Sequence, residues 1–300
     1  MRWRCAYHEA AKLQLGSPDR YSLHWAGRVG QGQSATGGTD QMVGVIYWED
    51  LRAPDFKSLP ERAIAVLPMG ASEQHGPHLA VSVDSDLVEA VLARTQVADG
   101  CTVLVLPTLR VTKSAEHDRH PGTLSLTGDT LLAVLRDIAA SVHRAGIDRL
   151  CLFNGHGGNT ALLEVAVRDM RITHDMIAVH CGWFGFAQAQ AHFDAQALAM
   201  DVHGGDIETS AMLAAAPEKV DMAKARDFRP AMQDWPQKWI GLTGQVARPG
   251  WLIDDLNADG ACGNAAAATV EKGEALLSSA ARNFSDFLGE LAAFDHRASL

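Results

Sequence analysis

The sequence lacks the features of a membrane-bound or nucleic-acid-binding protein. No apolar run approaches the roughly 20 residues of a membrane-spanning helix, and the N-terminus has no apolar core typical of a secretory signal peptide. There is no basic stripe, since 26 Lys and Arg stand against 36 Asp and Glu, giving a formal net charge of -10. Phosphate binding needs clustered Lys and Arg, so we expect no nucleic-acid partner and no membrane partner.

Cysteine is also scarce, and its spacing does not suggest disulfide bonds. The five cysteines are odd in number and widely separated, and none forms a Cys-x-x-Cys pair. They are Cys5, Cys101, Cys151, Cys181 and Cys262. This pattern predicts reduced thiols and a cytoplasmic location.

The first part of the chain has little of the hydrophobic periodicity found later. The stretch 27–38 is mostly small and polar, with no helical or strand period. We therefore expect residues 1–41 to be a poorly ordered N-terminal extension, or the product of a misplaced start codon, and residues 42–300 to form a single domain.

From residue 42 onward, short apolar runs alternate with longer amphipathic stretches. The runs predict buried strands at 63–68, 102–107, 150–153 and 176–179, and the stretches between and after them predict helices at 84–97, 129–144, 160–172 and 263–291. The region 218–260 is rich in Trp, Pro and Gly and has no clear assignment. This alternation predicts an α/β fold in which helices cover both faces of a parallel sheet.

Three polar clusters follow predicted strands or begin helices. The first reads Glu-Gln-His-Gly-Pro-His-Leu from Glu73 and ends at Asp84, the second is Asn-Gly-His-Gly-Gly-Asn around His156, and the third is His-Gly-Gly-x-x-Glu from His203. Their candidate metal ligands are Glu73, His75, Asp84, His156, His203 and Glu208. Loops after parallel strands gather at one edge of the sheet, so we expect the clusters to converge.

Mixed carboxylate and imidazole ligands suit zinc, manganese or iron better than calcium, which prefers oxygen alone. With so many candidates, the simplest arrangement is a two-metal site in which Asp84 bridges the two ions. Such a pair polarises a carbonyl and activates water, which indicates an amide hydrolase. Two alternatives stay open: a first cluster that only caps the following helix, and a Gly-rich turn around His156 that cradles a phosphate, although this turn lacks the Walker lysine and the Gly-x-Gly-x-x-Gly spacing.

Taken in order, the three motifs resemble those of the creatininase family, the creatinine amidohydrolase-like metal hydrolases, over about residues 42–285. The resemblance implies a three-layer α/β/α sandwich with a mostly parallel central sheet, two divalent metal ions, a small-molecule substrate and a homo-oligomer, by family a hexamer. Zinc is the metal we expect, with manganese or iron as alternatives. The implied metal ligands are Glu73, His75, Asp84, His156 and Glu208, and the implied catalytic residues are His203 and Glu208.

One departure from the family pattern bears on the substrate. Members that hydrolyse creatinine carry a Tyr-Glu pair directly after the histidine of the second motif, and that glutamate is a metal ligand, whereas this chain has Gly157-Gly158. We therefore expect Glu208 to supply the remaining ligand and the substrate to be other than creatinine. The predicted reaction is hydrolysis of a non-peptide C–N bond, in a cyclic amide or formamide of a small heterocycle. A peptide-cleaving member of the same family and a nucleotide-binding module without hydrolysis are the alternatives, and Glu116, His117 and Trp183 have no assigned role.

Overall fold

Apolar strands alternate with amphipathic helices along the chain, as the sequence predicts. The computed structural model describes residues 44–235, 238–242 and 246–299. The predicted extension, residues 1–41, lies outside the described residues. No helix in the described ranges is long and apolar enough to cross a lipid bilayer.

The regular elements divide into seven strands and eight α-helices within the described ranges. The strands are β1 (Gly44–Tyr47), β2 (Ile64–Met69), β3 (Thr102–Val105), β4 (Arg149–Asn154), β5 (Ile177–Gly182), β6 (Asp227–Phe228) and β7 (Gly263–Asn264). The helices are α1 (Val83–Arg94), α2 (Gly128–Arg144), α3 (Thr160–His174), α4 (Trp183–Phe186), α5 (Ala195–Met200), α6 (Asp206–Ala215), α7 (Ile253–Leu256) and α8 (Val270–Ala293).

The central sheet has five strands in the order β1-β3-β2-β4-β5, and every neighbouring pair runs parallel. Strands β2 and β4 lie at its centre, paired from Ile64 with Arg149 to Met69 with Asn154, and every residue in both is buried. Strands buried on both faces need continuous apolar sequence, which the runs at 63–68 and 150–153 supply. The predicted parallel sheet is confirmed.

Helices pack on both faces of this sheet. On one face, Val66 and Phe153 contact a core formed with α1, α4, α6 and α8, where Phe153 and Phe284 stack with ring centroids 4.1 Å apart. On the other face, Leu67 and Leu152 pack with the apolar sides of α2 and α3. The alternation of side chains along each strand therefore feeds two separate cores. This is the three-layer α/β/α sandwich that the sequence predicts.

The sequence missed one strand and misplaced the start of one helix. The edge strand β1 was not predicted, because it has four residues and none of them is fully buried, so it lacks the apolar run that marks β2 and β4. The last helix was predicted from residue 263 but begins at Val270. Gly263–Asn264 instead pairs with β6 in a two-stranded ribbon, and the Thr269 hydroxyl accepts a hydrogen bond from Lys272 N, which caps the helix start.

Helices α6 and α8 approach each other closely at one glycine. A Cβ atom added to Gly273 of α8 would overlap the main-chain carbonyl of Ser210 in α6. By contrast, a Cβ atom at Gly289, also in α8, would meet nothing within 4 Å. Because α6 carries Glu208, the close contact at Gly273 also sets the position of one of the predicted metal ligands.

These two glycines provide a matched pair of substitutions within one helix. Gly273→Ala should lower the free energy of unfolding by about 1–3 kcal/mol, because α6 and α8 must separate to admit the methyl group. Gly289→Ala should raise the same quantity by about 0.5–1 kcal/mol, because alanine favours the helix and meets open space. Urea denaturation followed by circular dichroism measures both. Equal effects of the two substitutions would contradict the close packing of α6 on α8.

Candidate metal centre

The three polar clusters converge at the carboxyl edge of the central strands. Glu73 and His75 lie in the loop that follows β2, and His156 lies two residues after the end of β4. Asp84 lies in the first turn of α1, and Glu208 in the first turn of α6. Of these five side chains, only that of Glu208 is appreciably exposed, at 19%.

Asp84 lies between two groups of potential ligands, with one carboxylate oxygen toward each. Its Oδ1 is 3.5 Å from His75 Nε2, and its Oδ2 is 3.7 Å from His156 Nδ1. Glu208 Oε2 lies 3.9 Å from His75 Nε2, and Glu73 Oε1 lies 3.1 Å from His156 Nδ1. The side chains therefore form two sets that could hold a metal ion, His75–Asp84–Glu208 and Glu73–Asp84–His156, which share Asp84.

His203 joins a third set of potential ligands. It lies just before α6, with Nδ1 3.6 Å from Glu73 Oε1, and the rings of His203 and His75 are 4.1 Å apart. Glu73, His75 and His203 present one ligand atom each within a common small volume. The structure thus brings together all six residues that the sequence singled out.

Main-chain carbonyls fix the orientation of three histidine rings. The carbonyl acceptors are those of Glu73 for His75 Nδ1 (3.0 Å), Lys113 for His156 Nε2 (3.0 Å) and Gln74 for His203 Nε2 (2.7 Å). A carbonyl oxygen only accepts hydrogen bonds, so each of these ring nitrogens carries a hydrogen. In the neutral ring the opposite nitrogen then presents a lone pair to the carboxylates, as a metal-binding histidine requires.

The field in the centre is dominated by its carboxylates. Burial by itself lowers the pKa of His75, but Asp84, Glu208 and Glu73 outweigh this effect and raise it to about 10. Burial and the nearby Glu73 carboxylate raise the pKa of Asp84 to about 7, against the opposing effect of His75. Both shifts have the same meaning: the centre favours an additional positive charge. For His203, burial and the neighbouring His75 lower the pKa to about 4, which keeps this ring neutral.

The donor set fits a divalent transition metal. His75 Nε2 and Asp84 Oδ2 are buried and make no hydrogen bond, and Glu73 Oε1 has none of acceptable geometry although His156 Nδ1 is near. In the described part of the chain, the ion-pair partners of Glu73, Asp84 and Glu208 are all histidines. Buried polar atoms without partners are costly, and a cation at these positions would satisfy them.

Two asparagines hold the Gly-rich turn that carries His156. Asn154 Nδ2 donates to His156 O at 2.6 Å, and His156 N donates to Asn154 Oδ1 at 3.3 Å. Asn159 Nδ2 in turn donates to Asn154 Oδ1 at 3.1 Å and to Thr112 Oγ1 at 3.1 Å. The sequence alone left this turn open as a phosphate cradle. In the structure the turn is held by hydrogen bonds to its own asparagines, and its histidine faces carboxylates.

The loop between β3 and α2 contributes residues that sequence reasoning did not place in the site. The Ser114 hydroxyl donates to Glu73 Oε2, and Glu116 accepts from Lys113 Nζ and lies 3.4 Å from His156 Nε2. The pKa of Glu116 falls to about 2, because these hydrogen bonds outweigh the effect of burial. His117 Nε2 lies 3.6 Å from Glu73 Oε1. The length of this loop was the one signal in the sequence that it could be functional.

Three further ring side chains make contacts of other kinds. Trp183 is buried in the core on the α1 and α8 face of the sheet, so it packs rather than lining the site. His78 donates to or accepts from Thr209 Oγ1 at 2.9 Å and stacks on Phe228, rather than contacting a carboxylate ligand. Trp251 lies near the centre, with its ring 6.4 Å from that of His117 in an edge-on arrangement.

A layered α/β/α fold with histidines and carboxylates at the carboxyl edge of its sheet defines a class of metal-dependent hydrolase, and comparison with known proteins agrees. The family model of creatininase, described as creatinine amidohydrolase, matches residues 49–288. Creatinine amidohydrolase of Pseudomonas putida is 32% identical over 264 residues, which cover 83% of this chain and 96% of that protein. The mycofactocin precursor peptide peptidase of Mycobacterium ulcerans is 31% identical over 202 residues, covering 64% of this chain and 75% of that protein.

Solved structures give the same result. A putative creatinine amidohydrolase from Bacteroides fragilis superposes with a TM-score of 0.67 at 26% identity, covering 84% of this chain and 98% of that one. A creatininase described with Mn and a mutant creatininase of Zn-Zn type, each 28% identical, have TM-scores of 0.62 and 0.63 and cover 82% and 81% of this chain, and 98% and 97% of their own. The chain belongs to the creatininase family and is a hydrolase of that family, which confirms the sequence-based assignment and the predicted enzyme class.

The fit of the centre to a metal has a consequence for stability. Protein stripped of metal with a chelator should unfold at a higher temperature after Zn²⁺ or Mn²⁺ is restored, because an ion that binds only the folded state stabilises it. The expected gain is about 2.7 kcal/mol at an ion concentration 100 times the dissociation constant. Ca²⁺ is the control and should stabilise much less, since imidazole is a poor ligand for it. If none of these ions shifts the unfolding midpoint, the centre does not bind metal.

Proposed function

We propose that the chain is a two-metal amidohydrolase that cleaves a non-peptide C–N bond in a small molecule. The proposed ligands are Glu73, His75, Asp84, His156 and Glu208. The observation that carries the proposal is the placement of Asp84, whose two carboxylate oxygens approach His75 and His156 separately and so suit a bridge between two ions. Glu208 supplies the carboxylate of one half, and Glu73 that of the other.

The ions that fit this donor set are zinc, manganese and iron, because imidazole and carboxylate ligands are mixed. Zinc is our first expectation, and relatives described with Mn and of Zn-Zn type support both zinc and manganese. When bound, a pair of such ions polarises a carbonyl group and lowers the pKa of water toward neutrality. Protein side chains carry out the proton transfers.

His203 is the proposed proton carrier. Its Nε2 donates to the Gln74 carbonyl at 2.7 Å, which leaves Nδ1 free to accept a proton on the side that faces Glu73. The lowered pKa of His203, about 4, reflects burial and the neighbouring His75 and keeps Nδ1 available for this. His203 accepts a proton from the attacking water at Nδ1 and delivers it to the leaving nitrogen. Glu208 accepts a hydrogen bond from Gly204 N at 2.6 Å, so the same contact holds a ligand and the loop of His203.

The proposed substrate is a cyclic amide or formamide of a small heterocycle, and creatinine is not the first expectation. At the position where creatinine-hydrolysing members carry a glutamate, a side chain on Gly158 would overlap Glu116 Oε1. The space that this glutamate would need is therefore taken by a carboxylate from a different loop. A metal centre that relies on that glutamate as a ligand does not transfer to this chain.

A second candidate is hydrolysis of a peptide. The observation that favours it is the similarity to the mycofactocin precursor peptide peptidase, at 31% identity nearly equal to that of creatinine amidohydrolase. The same ligands and the same proton carrier would serve both reactions. The two candidates differ only in the substrate that fits the site, a small cyclic amide or formamide in one and a peptide in the other.

Three further expectations from the sequence belong to this proposal. We propose that residues 42–300 act as a single creatininase-like domain, that the protein assembles as a homo-oligomer, by family a hexamer, and that it works in the cytoplasm. Reduced cysteines support the location: in the described ranges four cysteines are free, and Cys151 and Cys181 lie with sulfurs 3.6 Å apart without a bond.

Asp84 provides the most direct test of the two-metal arrangement. Asp84→Asn should reduce the metal content from about two ions per chain to below about one and abolish hydrolysis, because the bridging carboxylate serves both ions. Glu89→Gln is the control on the same helix, since Glu89 pairs with Arg110 at the surface. It should retain full metal content and activity. Elemental analysis of both purified variants measures the effect, and unchanged metal content in Asp84→Asn would remove Asp84 from the site.

A substrate panel tests the reaction itself. Protein loaded with Zn²⁺ or Mn²⁺ is incubated with cyclic amides and formamides of small heterocycles, with creatinine and with a short unstructured peptide, and the products are identified by mass spectrometry. We expect turnover of at least one amide or formamide, and much less of creatinine. Cleavage of the peptide alone would favour the second candidate. No turnover of any compound by fully metal-loaded protein would contradict both.

A further inference from the structure

His117 is held by a hydrogen bond of opposite sense to those of the other three histidines in the centre. Its Nδ1 lies 2.8 Å from Gln74 Nε2. Whether this terminal atom of Gln74 is the amide nitrogen or the amide oxygen decides which ring nitrogen of His117 carries the hydrogen. The hydrogen-bond partners of Gln74 show which atom it is.

The amide of Gln74 can have only one orientation. Its Oε1 accepts a hydrogen bond from Gly76 N at 2.9 Å, so this atom must be the oxygen. Its other terminal atom lies 2.8 Å from the Gly260 carbonyl, which can only accept, so that atom must be the nitrogen. One amide hydrogen goes to the Gly260 carbonyl, and the other points to His117 Nδ1.

His117 Nδ1 is therefore an acceptor, and the neutral ring carries its hydrogen on Nε2. This is the reverse of His75, His156 and His203, whose outer nitrogens donate to carbonyls and whose inner nitrogens present lone pairs. A ring nitrogen that carries a hydrogen cannot bind a metal. His117 is thus a donor placed among ligands.

The N–H of His117 is directed into the centre and has no acceptor there in the described residues. Nε2 lies 3.6 Å from Glu73 Oε1, beyond hydrogen-bond distance. The ring lies against that of His203, the proposed proton carrier, with centroids 4.2 Å apart and a tilt of 35° between the two planes. On its other side it meets the edge of Trp251. The ring is buried and cannot swing away, so the direction of its N–H is fixed.

We propose that His117 is a catalytic residue that donates a hydrogen bond from Nε2 to the oxygen of the reacting carbonyl, with Gln74 as the residue that positions it. This inference rests on the proposed function, because it assigns the donor for an amide carbonyl. The negative charge that develops on that oxygen strengthens a hydrogen bond from a fixed donor, and the surrounding structure has already met the cost of orienting it. No proton leaves His117 in this role.

Formate is a suitable probe, since it presents a carboxylate oxygen and needs no known substrate. Its dissociation constant is measured by calorimetry on zinc-loaded wild-type protein, His117→Phe and His117→Gln. His117→Phe keeps a flat ring but has no N–H, and it should weaken formate binding by on the order of tenfold or more. His117→Gln retains N–H donors and should recover part of the affinity. All three proteins should contain the same amount of zinc, because His117 is not a ligand.

Nitrogen NMR tests the positioning by Gln74 independently of any ligand. Solid-state spectra of protein labelled with ¹⁵N at histidine, with the His117 signals identified by their loss in His117→Phe, should show hydrogen on Nε2 in the wild type. Gln74→Glu replaces the amide donor with a carboxylate, so the hydrogen should move to Nδ1 and formate binding should weaken as in His117→Phe.

Three results would each overturn the inference. They are a hydrogen on Nδ1 in the wild type, a loss of zinc in His117→Phe, and equal or equally undetectable formate binding in the wild type and His117→Phe. Failure of the proposed function would look different, since the amide panel would show no turnover while the tautomer and the formate effect remained. For any amide that is turned over, His117→Phe should lower kcat by about 10²–10³-fold.

Discussion

The rest of the site depends on one constraint, the burial of carboxylates at the edge of a parallel sheet without a lysine or arginine to pair with them in the described chain. Glu73 and Asp84 are buried, and Glu208 is mostly so. A buried carboxylate without a partner costs several kcal/mol, so this arrangement persists only if something positive lies among the three groups. Neutral histidines supply none of that charge, and their inner ring nitrogens then present lone pairs. A divalent cation both supplies positive charge to the carboxylates and accepts the lone pairs of the histidine nitrogens.

The scaffold that holds these carboxylates is made mostly of main-chain atoms. The carbonyls that orient His75, His203 and His156 belong to residues 73, 74 and 113, in the loops after β2 and β3. Gln74 lies between two proposed ligands and links the loops further, through Gly76, Gly260 and His117. The group behind each ring therefore determines which of its two nitrogens carries the hydrogen and which presents a lone pair. Identical side chains in one centre can do different work for this reason.

The sequence predicted the convergence of the candidate ligands better than it predicted their surroundings. Glu73, His75, Asp84 and His156 follow or precede apolar strands and helices whose order determines where they meet, so their convergence could be predicted from the order of these elements. Glu116 and His117 could not be placed, because a long loop without periodicity does not reveal where its side chains point. Gln74 was not assigned a role from the sequence, since its role depends on Gly260, 186 residues away. The strand β1 and the start of α8 were missed because a short edge strand and a hydrogen-bonded cap carry little hydrophobic signal.

The family resemblance is interrupted at one position of the second motif, where this chain has glycine in place of a glutamate. Where creatinine-hydrolysing members place a glutamate after the second-motif histidine, Gly158 leaves a space that Glu116 occupies from the opposite loop. Glu116 does not take over as a ligand in this geometry, because it lies beside His156 Nε2, the nitrogen turned away from Glu73 and Asp84. It is held there by Lys113, so its charge is balanced outside the centre. The loop that brings Glu116 to His156 also brings His117 to Glu73, so one segment between β3 and α2 places side chains against two of the candidate ligands.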